Sequence, residues 1–425
     1  MDLSLKYLLF ETGERYPMLV DSDGKPDFWF SLFITVVMRP KNATKTLEKV
    51  LSALKHLRRW ECWHDRDLGE EFSQGRLLQS SDLHSIRDHA KLDGAAFESW
   101  VSQQKIVRSG KVKNLVNLRK HQPKPFLTVS NNHRAIRMSY IAEYLEFLAK
   151  TAMRTHHDFA DLSPKIVQMV ADFRALFPRK NSYSRNSGVF RTPANHAFQT
   201  YLEIAAPSSI DNPFKDPRVQ LRHFLVTRLQ FDLGLRTGEV LGLWVQDIEY
   251  GPENYIHIVR RHNHPQDPRL RQEVAKTNPR VLSLKDDLAR LIHTYVVDVR
   301  SKIPEAQTHP LLFVSTASNG RGRPISSQAL AQETKKVINA RSDVLAGISR
   351  HQFRHAFTSN IKNELDARGV SGELQEPIVQ YLLGHASPDS QAAYTAKHNQ
   401  QKANRLIQEI NRKRHGNAEA EDGKR

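Results

Sequence analysis

Residues 351–355 read HQFRH, which places His351, Arg354 and His355 at positions i, i+3 and i+4. In a helix those positions share one face, so a single turn would send two imidazoles and a guanidinium into the same space. None of the three suits a dry core. Three other stretches stand around this one in a fixed order: GLRTGEVLGL with Arg236, AKTNPRVLSL with Lys276, and LLGHASPDSQAAY, where His385 is followed nine residues later by Tyr394. Singly, each has an ordinary explanation. A lone His is usually surface-exposed or hydrogen-bonded, a lone Arg usually meets an acid, and a Lys beside a Pro-containing turn is usually solvated. A Tyr in an Ala-rich helical stretch is usually packing. The signal lies in their joint occurrence.

The composition says what such a cationic set would act on. Lys and Arg number 63 against 46 Asp and Glu, a formal +17, and a surplus of that size favours a polyanionic partner through counterion release. Nucleic acid comes first and an anionic membrane second. No apolar run approaches the roughly 18 residues of a membrane span, and the N-terminus turns acidic too early for a secretory signal, so the expected location is the cytoplasm, in association with the nucleoid. Cys62 is the sole cysteine, which excludes an internal disulfide and a cysteine-based zinc cluster; a structural role is expected for it. HNHPQD from His262 pairs two His with Asp267, but no third His follows at helical spacing, and no metal site is expected.

The charge is concentrated. Between Glu98 and Glu143 there is no acidic residue, whereas Lys105, Arg108, Lys111, Lys113, Arg119, Lys120, Lys124, Arg134 and Arg137 all fall there. That segment is expected to track a phosphate backbone.

The elements that must hold these residues follow from periodicity. Helical spacing recurs in TLEKVLSALKHLRRW, YIAEYLEFLAKTAM and PKIVQMVADFRALF, which predicts a mostly helical first domain over 43–177. Before it, YPMLVDSDGKPDFWF has an Asp-Gly turn signal between short apolar runs, predicting a small hairpin within 1–42. The Ser-, Asn- and Pro-rich stretch from Pro178 reads as a basic linker over 178–200. Beyond it, DPRVQLRHFLVTRLQFDLG starts with an Asp cap and a Pro and stops at Gly234, a helix marked at both ends. NYIHIV and NPRVLSL read as strands, KDDLARLIHTYVVDVR as a helix, and the chain from Ser349 onward as helices. A catalytic domain is therefore expected over 201–414, helical around a small sheet, with a disordered tail over 415–425. The fold class is mainly α with a small β-sheet, α+β.

With these pieces in place, the segment from about Arg218 to Lys402 resembles the tyrosine recombinases, or phage integrases. Their first motif stands here as Arg236, Glu239, Leu241 and Leu243, after a Gly-Leu turn. The Lys on a β-hairpin matches Lys276, and the His-x-x-Arg-His box is His351, Arg354 and His355, with Phe353 where Leu is commoner. Leu383, Gly384 and His385 form the Leu-Gly-His element, and Tyr394 falls at the nucleophile's position. Leu233, Gln391 and Ala396 depart from residues frequent in the family at those places.

The resemblance implies a chemistry that accounts for the residue types. A tyrosine phenol can replace the 5′-oxygen of a phosphodiester and conserve its energy as a 3′-phosphotyrosyl ester, so neither ATP nor a cofactor is called for. Arg236 and Arg354 would stabilise the charged non-bridging oxygens, and Lys276 would protonate the departing 5′-oxygen. His351 and His385 would assist. Glu239 would orient an arginine or a helix start, and His355 would support. The implied fold is a C-shaped clamp on double-stranded DNA, made by a helical core-binding domain and the catalytic domain. The implied assembly is a homo-tetramer on two DNA sites, serving a mobile element, with accessory DNA-bending or directionality factors. A C-terminal helix, ANRLIQEINRKR, is expected from Ala403. Two further readings share part of this pattern: a non-catalytic DNA-binding protein of the same fold, and a type IB topoisomerase.

Overall fold

The computed structural model describes residues 3–94, 96–98, 127–178, 195–275 and 277–384. The C-terminal helix expected from Ala403, the tail and most of the linker lie outside them. The chain divides into two compact units, Met1–Phe10 with Arg15–Val189, and Glu11–Glu14 with Phe190–Arg425. Its class is α+β, mostly helical with small antiparallel sheets.

The first unit opens with a hairpin, β1 (Ser4–Leu9) against β2 (Arg15–Val20), in the register Ser4↔Val20 to Leu9↔Arg15. Its turn is not the Asp23–Gly24 pair that the sequence suggests. The chain reverses after Phe10, through Gly13 at φ +87°. The Asp-Gly turn follows β2, and the second apolar run is a helix, α1 (Phe28–Phe33), because the Asp27 carboxylate accepts the Phe30 N–H as its cap.

Helices α2 (Thr44–His64), α3 (Leu68–Ser73), α4 (Ser80–His89), α5 (Asn131–Ala152) and α6 (Phe159–Ala175) follow among the described residues of this unit. Leu54, Trp60, Ile141, Leu145 and Phe173 meet in its core. Cys62, expected to be structural, is exposed on α2.

The second unit begins earlier than expected. Helix α7 (Asn195–Ala205) starts inside the stretch read as linker, where its apolar residues bury Phe198, Tyr201 and Ile204. Helix α8 (Pro217–Leu233) then runs through the core with Asp216 capping it and Gly234 at φ +63° ending it. A short helix, α9 (Thr237–Leu241), leads to the sheet β3 (Ile248–Glu249), β4 (Asn254–Ile258) and β5 (Arg280–Leu284), antiparallel in that order. β4 and β5 pair Ile256 with Leu282 and Ile258 with Arg280.

Helices α10 (Asp286–Thr294), α11 (Ser327–Ala340), α12 (Ser342–Leu345), α13 (Arg350–Ala367) and α14 (Gly372–Leu383) follow, and α14 packs against β5. Helix α13 packs along α8, burying Phe357 in the cluster that holds Leu233, and its Phe353 is buried against Phe198 and Tyr201 of α7. This fixes which face of HQFRH turns inward.

Candidate active site

Gly234 and Leu235 end α8, and the next residue, Arg236, caps α9. Glu239, three residues into α9, accepts the Arg236 backbone N–H at 2.7 Å, so the same carboxylate that starts the helix also fixes the backbone beneath the arginine. Glu239 is 3% exposed, and a bare buried carboxylate would be costly. It is fully engaged. Arg280 at the start of β5 donates to both its oxygens, at 3.0 and 3.2 Å, the Thr277 hydroxyl donates to Oε1, and Arg354 Nη1 lies 3.7 Å from Oε2. Burial pushes the Glu239 carboxyl up, but the Arg280 hydrogen bonds and charge outweigh it and hold the group below the usual carboxylate range.

Arg354 comes from the buried face of α13. Its Nη1 donates to the Gly234 carbonyl at 2.7 Å and its Nη2 to the Leu383 carbonyl at 2.6 Å, so it ties the ends of α8 and α14 together. Burial and the nearby Arg236 charge lower its pKa to about 10. Arg236 is held differently. Its guanidinium is half-buried, and its Nη1 is screened from solvent with no acceptor among the described residues. Burial lowers its pKa, with Glu239 opposing and Arg280 reinforcing.

His351 and His355 stand on the exposed side of α13, ring edge to ring face at 4.6 Å. The face predicted to be shared is thus split: the imidazoles are at the surface, and the guanidinium is inside. Burial first, then His355, Arg354 and Arg236, lower the His351 pKa. The shift favours the uncharged imidazole, which can accept a proton or a hydrogen bond. Arg236, Glu239, His351 and Arg354 therefore occupy one electrostatic neighbourhood.

Lys276, His385 and Tyr394 lie outside the described residues, as do Lys105, Arg108, Lys111, Lys113, Arg119 and Lys120. The residues on either side of Lys276 are not in a strand. The strands on either side of it in sequence, β4 and β5, pair antiparallel, and the chain rejoins the sheet at Arg280.

Among the basic residues, Arg134 is half-buried in the first turn of α5. Arg137 is a correction. It is buried and donates to the Ala90 and Leu92 carbonyls at 2.7 and 2.8 Å, holding the end of α4 against α5 instead of facing a phosphate. In HNHPQD, the Asp267 carboxylate is buried and occupied by Arg269.

Arg280 and Thr277 were not singled out from the sequence, although a signal existed. Arg280 shares a strand face with Leu282 and Leu284, all buried. An Arg at the inward register of a period-2 strand requires a buried acid or a set of carbonyls to meet it.

Residues 209–401 match the family model described as the phage integrase family. The tyrosine recombinase XerD of Corynebacterium glutamicum is 26% identical over 177 residues, which cover 42% of this chain and 49% of that protein. Transposase A from transposon Tn554 of Staphylococcus aureus is 26% identical over 168 residues, 39% of this chain and 40% of that protein. The chain thus spans about half the length of the curated relatives it matches. Among solved structures, XerH site-specific recombinase bound to palindromic difH substrate, in a post-cleavage complex, aligns over 92% of this chain and 94% of that chain with a TM-score of 0.41 and 14% identity.

Proposed function

We propose, from the premise that this chain belongs to the phage integrase family of tyrosine recombinases, that it is a site-specific DNA recombinase working through a covalent 3′-phosphotyrosyl intermediate. The observation that carries the proposal is a charge arrangement. Three guanidiniums, Arg236, Arg280 and Arg354, share one carboxylate, Glu239, and leave two positive charges in excess beside an Nη1 of Arg236 that has no acceptor among the described residues. A phosphodiester attacked by a phenolate acquires a second negative charge at its non-bridging oxygens. Preorganised cations in a partly desolvated site stabilise that charge most.

In the forward step the Tyr394 oxygen forms a bond to phosphorus, the bond from phosphorus to the 5′-oxygen breaks, and Lys276 gives that oxygen its proton. The phenol's proton leaves towards a neutral imidazole, for which His351 is suited by its lowered pKa and His385 by its place in the Leu-Gly-His motif. A 5′-hydroxyl from a partner strand reverses the step. Arg236 and Arg354 bind the phosphate, Glu239 orients Arg236, and His355 supports His351. Double-stranded DNA is the proposed substrate. A tetramer on two DNA sites, accessory DNA-bending or directionality factors and service to a mobile element are parts of the same proposal.

The test is covalent trapping. The full chain is incubated with duplex fragments from the ends of its genetic neighbourhood, without ATP and with EDTA, then denatured, and the attached DNA is sequenced. Adducts at one discrete position that vanish in Tyr394→Phe are expected. Tight binding with no adduct at any tested site would favour a DNA-binding protein of the same fold. Relaxation of a supercoiled plasmid lacking that position would favour a topoisomerase.

A further inference from the structure

We propose that Arg280 is a positioning residue for strand cleavage: it never meets the phosphate, but holds Glu239, and through Glu239 the two arginines that do. This deepens the recombinase reading and rests on it.

The geometry separates Arg280 from Arg236. The Arg280 side chain is 1% exposed, so no duplex can reach it. Its Nη1 and Nη2 donate to the two Glu239 oxygens, Nη1 also to Thr277 Oγ1 at 3.1 Å, and Nε to the Leu382 carbonyl at 2.9 Å. One guanidinium therefore joins the start of α9, the residues just before β5 and the last turn of α14. Arg354 reaches the adjacent carbonyl of Leu383, and the Asn278 N–H donates to the Gly384 carbonyl at 3.0 Å. Thr277 and Gly384, both tied into this lock, adjoin Lys276 and His385 in sequence. Gly384 also leaves room for it, because a Cβ there would stand 2.6 Å from Arg280 Nη1.

A buried ion pair need not do more than hold a fold, and its replacement by apolar side chains is often tolerated. Here the two roles differ in sign with pH. The charged groups facing Glu239 are Arg280, Arg354 and the Arg236 guanidinium. Without Arg280, Glu239 loses the hydrogen bonds and charge that do most to offset its burial, so its carboxyl titrates higher than in the wild type. The folded state then resists ionisation, so the stability deficit of the variant widens as pH rises through the ordinary carboxylate range. The deficit in cleavage narrows over the same rise, because the carboxylate that orders Arg236 and Arg354 returns. A purely structural role moves both deficits together.

The experiment uses the full chain as wild type, Arg280→Met and Arg280→Lys. It measures duplex affinity, the single-turnover rate of Tyr394-dependent adduct formation, and thermal stability, from about pH 4 to pH 8, across the carboxylate range. Arg280→Met is expected to cleave about 100-fold more slowly at the acid end of the range, the order of effect of a small misplacement of reacting groups, and by less at neutral pH, with duplex affinity little changed. Arg280→Lys keeps the charge but cannot reach Glu239, Thr277 and Leu382 together, and should fall between the two. It also serves if Arg280→Met does not fold. Cleavage at the wild-type rate, or a cleavage deficit that follows the stability deficit at every pH, would overturn the proposal. A wild-type chain that forms no Tyr394-dependent adduct would instead overturn the recombinase reading, and this inference with it.

Discussion

Removing Arg236 and removing Arg354 have different expected costs, because only one of them is built into the scaffold. Arg354 supplies the donors for two buried carbonyls, those of Gly234 and Leu383. Arg354→Ala strands both, at about 1–3 kcal/mol each in a buried setting, and should lower stability and cleavage together. Arg236 Nη1 has no such partner among the described residues, so Arg236→Ala should cost clearly less stability than Arg354→Ala. Its loss should appear in adduct formation, by about 100-fold or more, as when one preorganised donor to a developing oxyanion is removed. Thermal denaturation beside single-turnover trapping separates the two. Equal stability losses would mean that Arg236 is also a structural residue. The sequence made both arginines legible, since motif order and helical spacing survive without coordinates. It did not reveal which was committed to carbonyls, because those carbonyls come from Gly234 and Leu383, distant in sequence. Arg280 stayed hidden for the same reason: its partner Glu239 lies 41 residues away.

At the scale of elements, the positions of the site residues depend on how helices stop. Helix α8 was readable from end to end because Asp216, Pro217 and Gly234 are local signals with local causes. The opening hairpin was misplaced because two turns of similar composition compete, and Asp27 acting as a helix cap, not the turn residues, decides between them. Helices α11 and α12 passed unread; Leu330 and Val337 are buried by residues far along the chain. The end of α14 is a stronger case of dependence on a stop. Gly384 sits at φ +63°, and a Cβ there would lie 2.6 Å from Arg280 Nη1 and 2.9 Å from Thr277 Cβ. Gly384→Ala thus combines the cost of a left-handed residue, about 1 kcal/mol, with displacement of a fully buried guanidinium. A stability loss of about 2 kcal/mol or more is expected, with adduct formation falling further than stability alone would require. Denaturant unfolding of the variant checks the first part. A near-neutral result would mean that the turn can relax away from Arg280 at little cost.

For the whole molecule, the formal +17 favours a polyanionic partner, while the location of the charge determines how strongly salt should govern binding. The segment from Lys105 to Arg137 read as one uniform cationic stretch. Arg137 leaves that set, because its guanidinium is bonded to the Ala90 and Leu92 carbonyls inside the first unit. The two kinds of residue make opposite predictions. Replacing Lys105, Arg108, Lys111, Lys113, Arg119 and Lys120 with Gln should flatten the dependence of duplex affinity on salt, by about 0.9 in the logarithmic slope for each phosphate no longer neutralised. Folding should be little affected. Arg137→Gln should do the reverse, unfolding the first unit at lower temperature and leaving the slope unchanged wherever the protein remains folded. Fluorescence anisotropy with a labelled duplex across a salt titration measures the slopes. The position of the covalent adduct should not move in the six-residue variant, since bonds to phosphates set affinity and register without reading bases. A moved cleavage position would show that this segment helps to choose the site, and an unchanged slope would remove it from the DNA interface.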